Sequence, residues 1–313
     1  MGVRRRRTGG GPAAVAETVL RLAVLLQAGA APAAAWRHLA EAGDAAAGAI
    51  VERVAGGMPL VEAIEAQSAA SAGRTPASAR LAAAWLDVAA AWEVSIAVGA
   101  PLADSLRGMA SALRDAQESA DDVQVALAEP AGTARLMGWL PLFGLVIGGA
   151  LGFDTLVILF THPAGIGCLV AGLVLLAGAR LWTGRLVRSA QPPPGTPGMA
   201  AELLAIALAG GVSIERAHDL VDTAPGGPRG ADEVDGVLAL SRAAGVPAVE
   251  LLRASAAHDR HDARTSGRTR AARLGSRLLL PLGVCTLPAF LCLGVAPMML
   301  GVLAATPLPA LGG

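Results

Sequence analysis

Leu278–Leu303 reads LLLPLGVCTLPAFLCLGVAPMMLGVL, 26 residues without a charge. At about 1.5 Å per residue such a stretch crosses a hydrocarbon core about 30 Å thick. Arg264, Arg268, Arg270, Arg273 and Arg277 crowd its N-terminal side, and nothing charged follows it. It therefore reads as a membrane span that starts in the cytoplasm and ends outside. Pro281, Pro288 and Pro297 fall inside it. Each bends a helix or interrupts its hydrogen-bond ladder, so neighbouring spans are expected to compensate.

The surrounding composition agrees. Hydrophobic residues make up 54% of the 313 residues, and the mean hydropathy is +0.54. The excess concentrates in two blocks, Leu136–Trp182 and Leu278–Leu303. The first is long enough for two spans, at about 136–153 and 164–182, with Asp154, His162 and Pro163 marking the turn. Gly144, Gly148 and Gly152 recur at i, i+4 and i+8 in the first of them, a face on which helices approach closely in lipid. Arg135 precedes the hairpin, and Arg180, Arg185 and Arg188 follow it. The charge asymmetry predicts one topology: N-terminal region in the cytoplasm, a hairpin of two spans, a second cytoplasmic region, and a third span. A short extracytoplasmic tail at 304–313 closes the chain.

Outside these blocks the sequence is Ala-rich, with helical periodicity. Residues 1–12 form a basic tail, MGVRRRRTGGGP, which imitates a signal peptide. Glu17 and Arg21 interrupt the apolar run that follows, and its pattern suits an amphipathic helix instead. Six helices are predicted over 13–130, at about 13–28, 32–43, 46–56, 59–68, 77–97 and 101–128. Gly29, Gly56-Gly57 and Gly99 end helices, and Pro32, Pro59 and Pro101 start the next. Such short joins make antiparallel hairpins. QPPPGTPG at 191–198 reads as a stiff linker. Four further helices are expected over 199–275, at about 199–210, 213–223, 232–244 and 247–270. The fold class is therefore all-α membrane protein: two cytoplasmic helical bundles plus three transmembrane helices.

The second bundle repeats the first. SIAVGAPLADSLRGMASALR (95–114) aligns with SRAAGVPAVELLRASAAHDR (241–260), which pairs Ser95 with Ser241, Gly99 with Gly245, Pro101 with Pro247 and Arg114 with Arg260. LLQAGAAPAAA (25–35) aligns with ALAGGVSIERA (207–217), Gly29 opposite Gly211. The second copy is shortened. It has only the loop 224–230 where the first has two helices, so its apolar faces need the first domain or a partner to cover them.

Catalytic chemistry finds little support. All 25 basic residues are arginine, which removes any Walker lysine, Schiff base or Ser–Lys dyad. Cys168, Cys285 and Cys292 form no CxxC pair, so no disulfide framework or zinc site is indicated. His258, His261 and Asp262 have helical spacing that metal sites use, but the flanking charges favour a solvated face. Glu118, Asp121 and Asp122 read the same way, and Asp154 is placed in the external turn. No catalytic, cofactor or metal residue is assigned. Net charge is zero and aromatics are 3%, so nucleic acid is not an expected partner. The basic runs fit an anionic membrane surface.

Two helical domains built on these Gly-x-Pro turns, each leading to a span, resemble the type II secretion system F-domain proteins. These are inner-membrane platform proteins of type II secretion and type IV pilus systems. Residues 134–190 are similar to the B-type and 281–303 to the C-type platform protein of Tad (Flp) pilus machines. The resemblance implies a non-enzymatic scaffold in the cytoplasmic membrane. It implies partners too: a hexameric secretion-type ATPase, pilin-like subunits, other platform subunits and membrane lipids. A small membrane transporter or permease subunit is the alternative, since internal repeats are common there.

Overall fold

The computed structural model describes residues 11–150, 160–191, 194–227, 231–297 and 299. Gly152, Asp154 and the tail at 304–313 lie outside the described residues. Among the described residues every regular element is helical. The helices are α1 Pro12–Gln27, α2 Pro32–Glu41, α3 Ala45–Ala55, α4 Leu60–Ser71, α5 Pro76–Val98, α6 Leu102–Ala150, α7 Pro163–Ala190, α8 Met199–Ala209, α9 Ile214–Thr223, α10 Ala231–Ala244 and α11 Ala248–Pro281. Two π-helical turns, Leu282–Thr286 and Leu291–Val295, flank the short α12, Leu287–Phe290. The chain divides into two compact units, residues 1–121 with 192–266, and residues 122–191 with 267–313.

In the first unit, local chemistry sets the helix ends. Asp44 caps α3, accepting from the backbone N–H of Ala46 and Ala47 at 3.0 Å each, and Thr18 of α1 donates to the same carboxylate at 2.5 Å. Thr75 and Ser78 form a reciprocal capping box at the start of α5. Gly99 ends α5 in the left-handed region (φ +69°), which lets the Ala100 N–H reach back to the Ser95 carbonyl at 3.0 Å.

Both helical regions outside the apolar blocks feed one core in this unit, where the sequence predicts a bundle for each. Val15, Val19 and Leu22 of α1, Trp36 of α2, Trp92 of α5, and Leu106, Met109 and Leu113 of α6 are buried. Leu203, Leu204 and Ile206 of α8, Leu238 of α10 and Leu252 of α11 join them in the same cluster. Trp36 and Trp92 pack with ring centroids 5.8 Å apart. The physical reason is the shortening of the second region. It lacks counterparts of α3 and α4, and α8 is apolar almost all round, so α8 buries itself against α5.

The second unit has the opposite surface. Phe143, Val146, Phe160, Val170, Val174, Leu181, Leu280, Val284 and Leu287 each stand more than half exposed. Among the described residues three helices are long and apolar enough to cross a membrane: Pro76–Val98, Pro163–Ser189 and the run Ala248–Val295. Burial separates them. The apolar window of Pro76–Val98 is 56% buried, in the core of the first unit, whereas that of Pro163–Ser189 is 17% buried. Apolar surface left uncovered over whole helices is surface for lipid. The helices of this second unit fit a membrane protein. The span expected at 136–153 lies in α6, which is described as far as Ala150 and takes in Gly144 and Gly148.

Two further differences concern continuity. The sequence separates a cytoplasmic helix ending near 128 from a span starting near 136, but α6 is one helix of 49 residues. Likewise α11 runs 34 residues without a break between 270 and 278. The join before the last span, 270–278, is rich in Ala, Arg and Leu, which are strong helix formers, whereas α6 continues through Pro130 and Gly132 in spite of their low helix propensity. In the last span, prolines alter the helix without ending it. Pro281 precedes one π turn and Pro288 sits between the two. A proline ring displaces the carbonyl four residues earlier; for Pro288 and Pro297 that carbonyl, of Val284 and Leu293, falls inside a π turn, and the wider turn accommodates the ring.

Candidate functional site

The polar groups that converge do so where α6, α8 and α11 meet. Packing there is close, because a Cβ at Gly108 of α6 would lie 2.6 Å from Glu202 Oε1 of α8. Glu202 is buried, and Arg260 of α11 reaches it at 3.6 Å and Asp115 of α6 at 3.3 Å. These are ion-pair contacts rather than well-directed hydrogen bonds, since Arg260 Nε and one terminal nitrogen have no hydrogen-bond acceptor. One turn on, Arg264 pairs with Glu118. Beyond that, Arg268 engages one Asp122 oxygen through Nε at 3.1 Å and a terminal nitrogen at 2.8 Å. Three arginines at i, i+4 and i+8 on α11 thus meet acids at 115, 118 and 122 on α6.

The linker after α7 is held by the same unit. Thr196, itself buried, donates to the buried Asp87 carboxylate at 2.7 Å. Gly198 follows with φ +73°, and a Cβ there would lie 2.6 Å from the Ala256 carbonyl oxygen. The segment 191–198, a stiff spacer by composition, is therefore pinned between α5 and α11 at its far end.

The turn residues singled out by sequence fall as follows. Gly29 and Gly211 sit past the ends of α1 and α8 with φ of +90° and +82°. Gly99 and Gly245 follow α5 and α10 with φ of +69° and +66°. Pro32 is the first residue of α2. Pro101 and Pro247 stand just before α6 and α11 rather than inside them, their carbonyls accepting from the N–H groups of Ser105 (3.0 Å) and Leu251 (3.4 Å). Arg180, Arg185 and Arg188 of α7 and Arg273 and Arg277 of α11 are all exposed.

Sequence reasoning missed three features. It read Glu118 and Asp122 as solvated, whereas they are ion-paired across helices. It did not single out Glu202, whose partner lies 58 residues away in the chain. It also passed over Gly172 of α7, where Leu293 of the last span inserts; a Cβ there would lie 2.7 Å from Leu293 Cδ2. The spacing of Arg260, Arg264 and Arg268 on one helix face was the available signal for the ladder.

Chemically the junction holds opposite charges against one another. Among the described residues no cluster of His, Cys, Asp or Glu could hold a metal ion. His258 pairs with Asp262 at 3.4 Å on an exposed face. Burial, and then the charge of Glu65, raises the pKa of Glu93 of α5 above the usual carboxylate value.

Residues 18–149 match the family described as type II secretion system (T2SS), protein F. No curated protein and no solved structure gives a significant match.

Proposed function

We propose that the chain carries an F domain of the type II secretion system family over the matched residues 18–149 and works as a non-enzymatic platform of a secretion or pilus machine, of the Tad kind. The observation that carries this reading is the continuity of α6. Its first turns place Leu106, Met109 and Leu113 in the core of the first unit, and the same helix goes on into the apolar segment that ends at Ala150. In this reading a load applied to the bundle by an ATPase reaches the apolar segment through α6. Helix α11 repeats the arrangement, with Leu252 in the core and Leu278–Leu280 entering the last span.

The internal repeat supports a platform made of two helical copies that share one core, each leading into an apolar helix. Gly99 and Gly245 share one left-handed conformation. The N–H of Ala100 bonds the Ser95 carbonyl, and that of Val246 bonds the Ser241 carbonyl. Arg107 pairs with Asp104, and Arg253 with Glu250, at the same i,i+3 spacing. In this reading the membrane is the cytoplasmic one. The arginines at 180, 185, 188, 273 and 277 face the cytoplasm, the N-terminus is cytoplasmic and the C-terminus is outside.

The test is co-purification from detergent of the full chain with a secretion-type ATPase and pilin-like subunits of the same cell. Association with both is the expected result. Absence of either partner, together with solute uptake by liposomes that contain this chain alone, overturns the platform in favour of a transporter.

A further inference from the structure

Helices α6 and α11 touch through equivalent residues of the internal repeat. Arg264 pairs with Glu118 and Arg268 with Asp122, and each pair is separated by 146 residues. That is also the offset that superposes Ser95 on Ser241 and Gly99 on Gly245. From the first pair to the second, both helices advance four residues in the same direction. Antiparallel helices would advance in opposite directions, so the two run parallel here. Helices that are parallel and place each residue against its own counterpart are related by a local two-fold axis lying between them.

An exact two-fold would bring identical side chains together on such an axis. Here the chemistry is split by copy. At the two equivalent positions α6 is acidic (Glu118, Asp122) and α11 is basic (Arg264, Arg268). Two α6 helices from separate chains, brought together in the same register, would set Glu118 against Glu118 and Asp122 against Asp122. Two α11 helices would set arginine against arginine. Like charges directly opposed destabilise a helix pair by about as much as opposite charges stabilise it, and they discriminate between partners more than they add affinity.

We infer that this segregation of charge is a pairing code: it makes α6 take α11 of the repeat's other copy, in register, and rejects a second α6. The inference rests on the repeat and on these contacts. It holds whether or not the chain serves a pilus machine.

The test uses the full chain in detergent, with Cys168, Cys285 and Cys292 replaced by serine and with Glu118→Cys and Arg264→Cys introduced. Oxidation is expected to give an intrachain disulfide and little disulfide-linked dimer. Adding Asp122→Arg sets arginine against Arg268 and should lower the intrachain yield about threefold or more at low salt. Adding Arg268→Asp as well exchanges the pair and should restore the yield. Tryptophan fluorescence melting of each variant reports folding alongside. An undiminished yield with Asp122→Arg overturns the inference, and so does failure of the exchanged pair to recover yield and melting midpoint. A Glu118→Cys chain that cross-links to its own copy as readily as the double-cysteine chain does internally also overturns it.

Discussion

Arg260→Met is the most informative single change in the first unit. The Arg260 side chain is 13% exposed, and Glu202, which it neutralises at 3.6 Å, is 8% exposed. Asp115, its other partner at 3.3 Å, is 42% exposed and remains hydrated after the change. The cost therefore comes from Glu202, left as a buried carboxylate facing a thioether. Breaking a buried pair from one side costs about 3–5 kcal/mol, and we take about 3 because the contacts are not ideally directed. For a unit of roughly 200 residues, about 2–4 °C of melting temperature goes with each kcal/mol. The expected drop is thus about 6–12 °C. Trp36 and Trp92 report it, since both lie in the core that contains Glu202's neighbours Leu203 and Leu204. Adding Glu202→Leu removes the stranded charge and should bring the midpoint back to within about 1 kcal/mol of the starting protein. A drop below about 2 °C for Arg260→Met, or a double variant no more stable than the single one, would refute the reasoning.

In the second unit, Gly172→Ala and Gly172→Leu should lower the melting midpoint in that order, because any side chain there meets Leu293; equal stability of the three proteins would show that α7 and the last span do not pack through this point. Gly198→Ala combines an unfavourable positive φ with a clash against the Ala256 backbone, and should cost about 2–3 kcal/mol in the same fluorescence melt. Glu93 binds its proton more tightly in the folded state than in the unfolded one, so its contribution to stability falls as pH rises from 4.5 through its elevated pKa. Glu93→Gln should therefore raise the midpoint at pH 7 and make no difference below pH 4.5; a gain that persists in acid would assign the effect to something other than titration.

Much of the fold can be read from residues whose physics is local. Gly29, Gly99, Gly211 and Gly245 mark helix ends because glycine adopts positive φ without a steric cost, and that holds in any tertiary setting. The uncharged run after Leu278 marks a span because charge is costly in lipid. Boundaries set by tertiary context are less legible. Pro76–Val98 has the length and hydropathy of a span, and its burial beneath α4 and α8 follows from packing that no window of sequence reports. The junction at Glu202, Arg260 and Asp115 joins three helices far apart in the chain. Nothing near Glu202 distinguishes it from the solvated glutamates of the same composition. The ladder was half legible, since its arginines share a face, but their partners become identifiable only once α6 and α11 are known to be parallel.

The discontinuity of the first unit has a consequence for biosynthesis. Its core contains α8, which enters the chain only after residues 122–191 have been made. Until then α5 presents to water, or to a chaperone, the groove that Leu203, Leu204 and Ile206 will fill. Residues 122–191 must therefore be emerging, or already made, before the core of the first unit can close. At a synthesis rate of about 5–20 residues per second, that interval lasts several seconds. Destabilising changes in α8 should act on this open intermediate as well as on the finished fold, and yield in the cell is the quantity through which they would first be noticed.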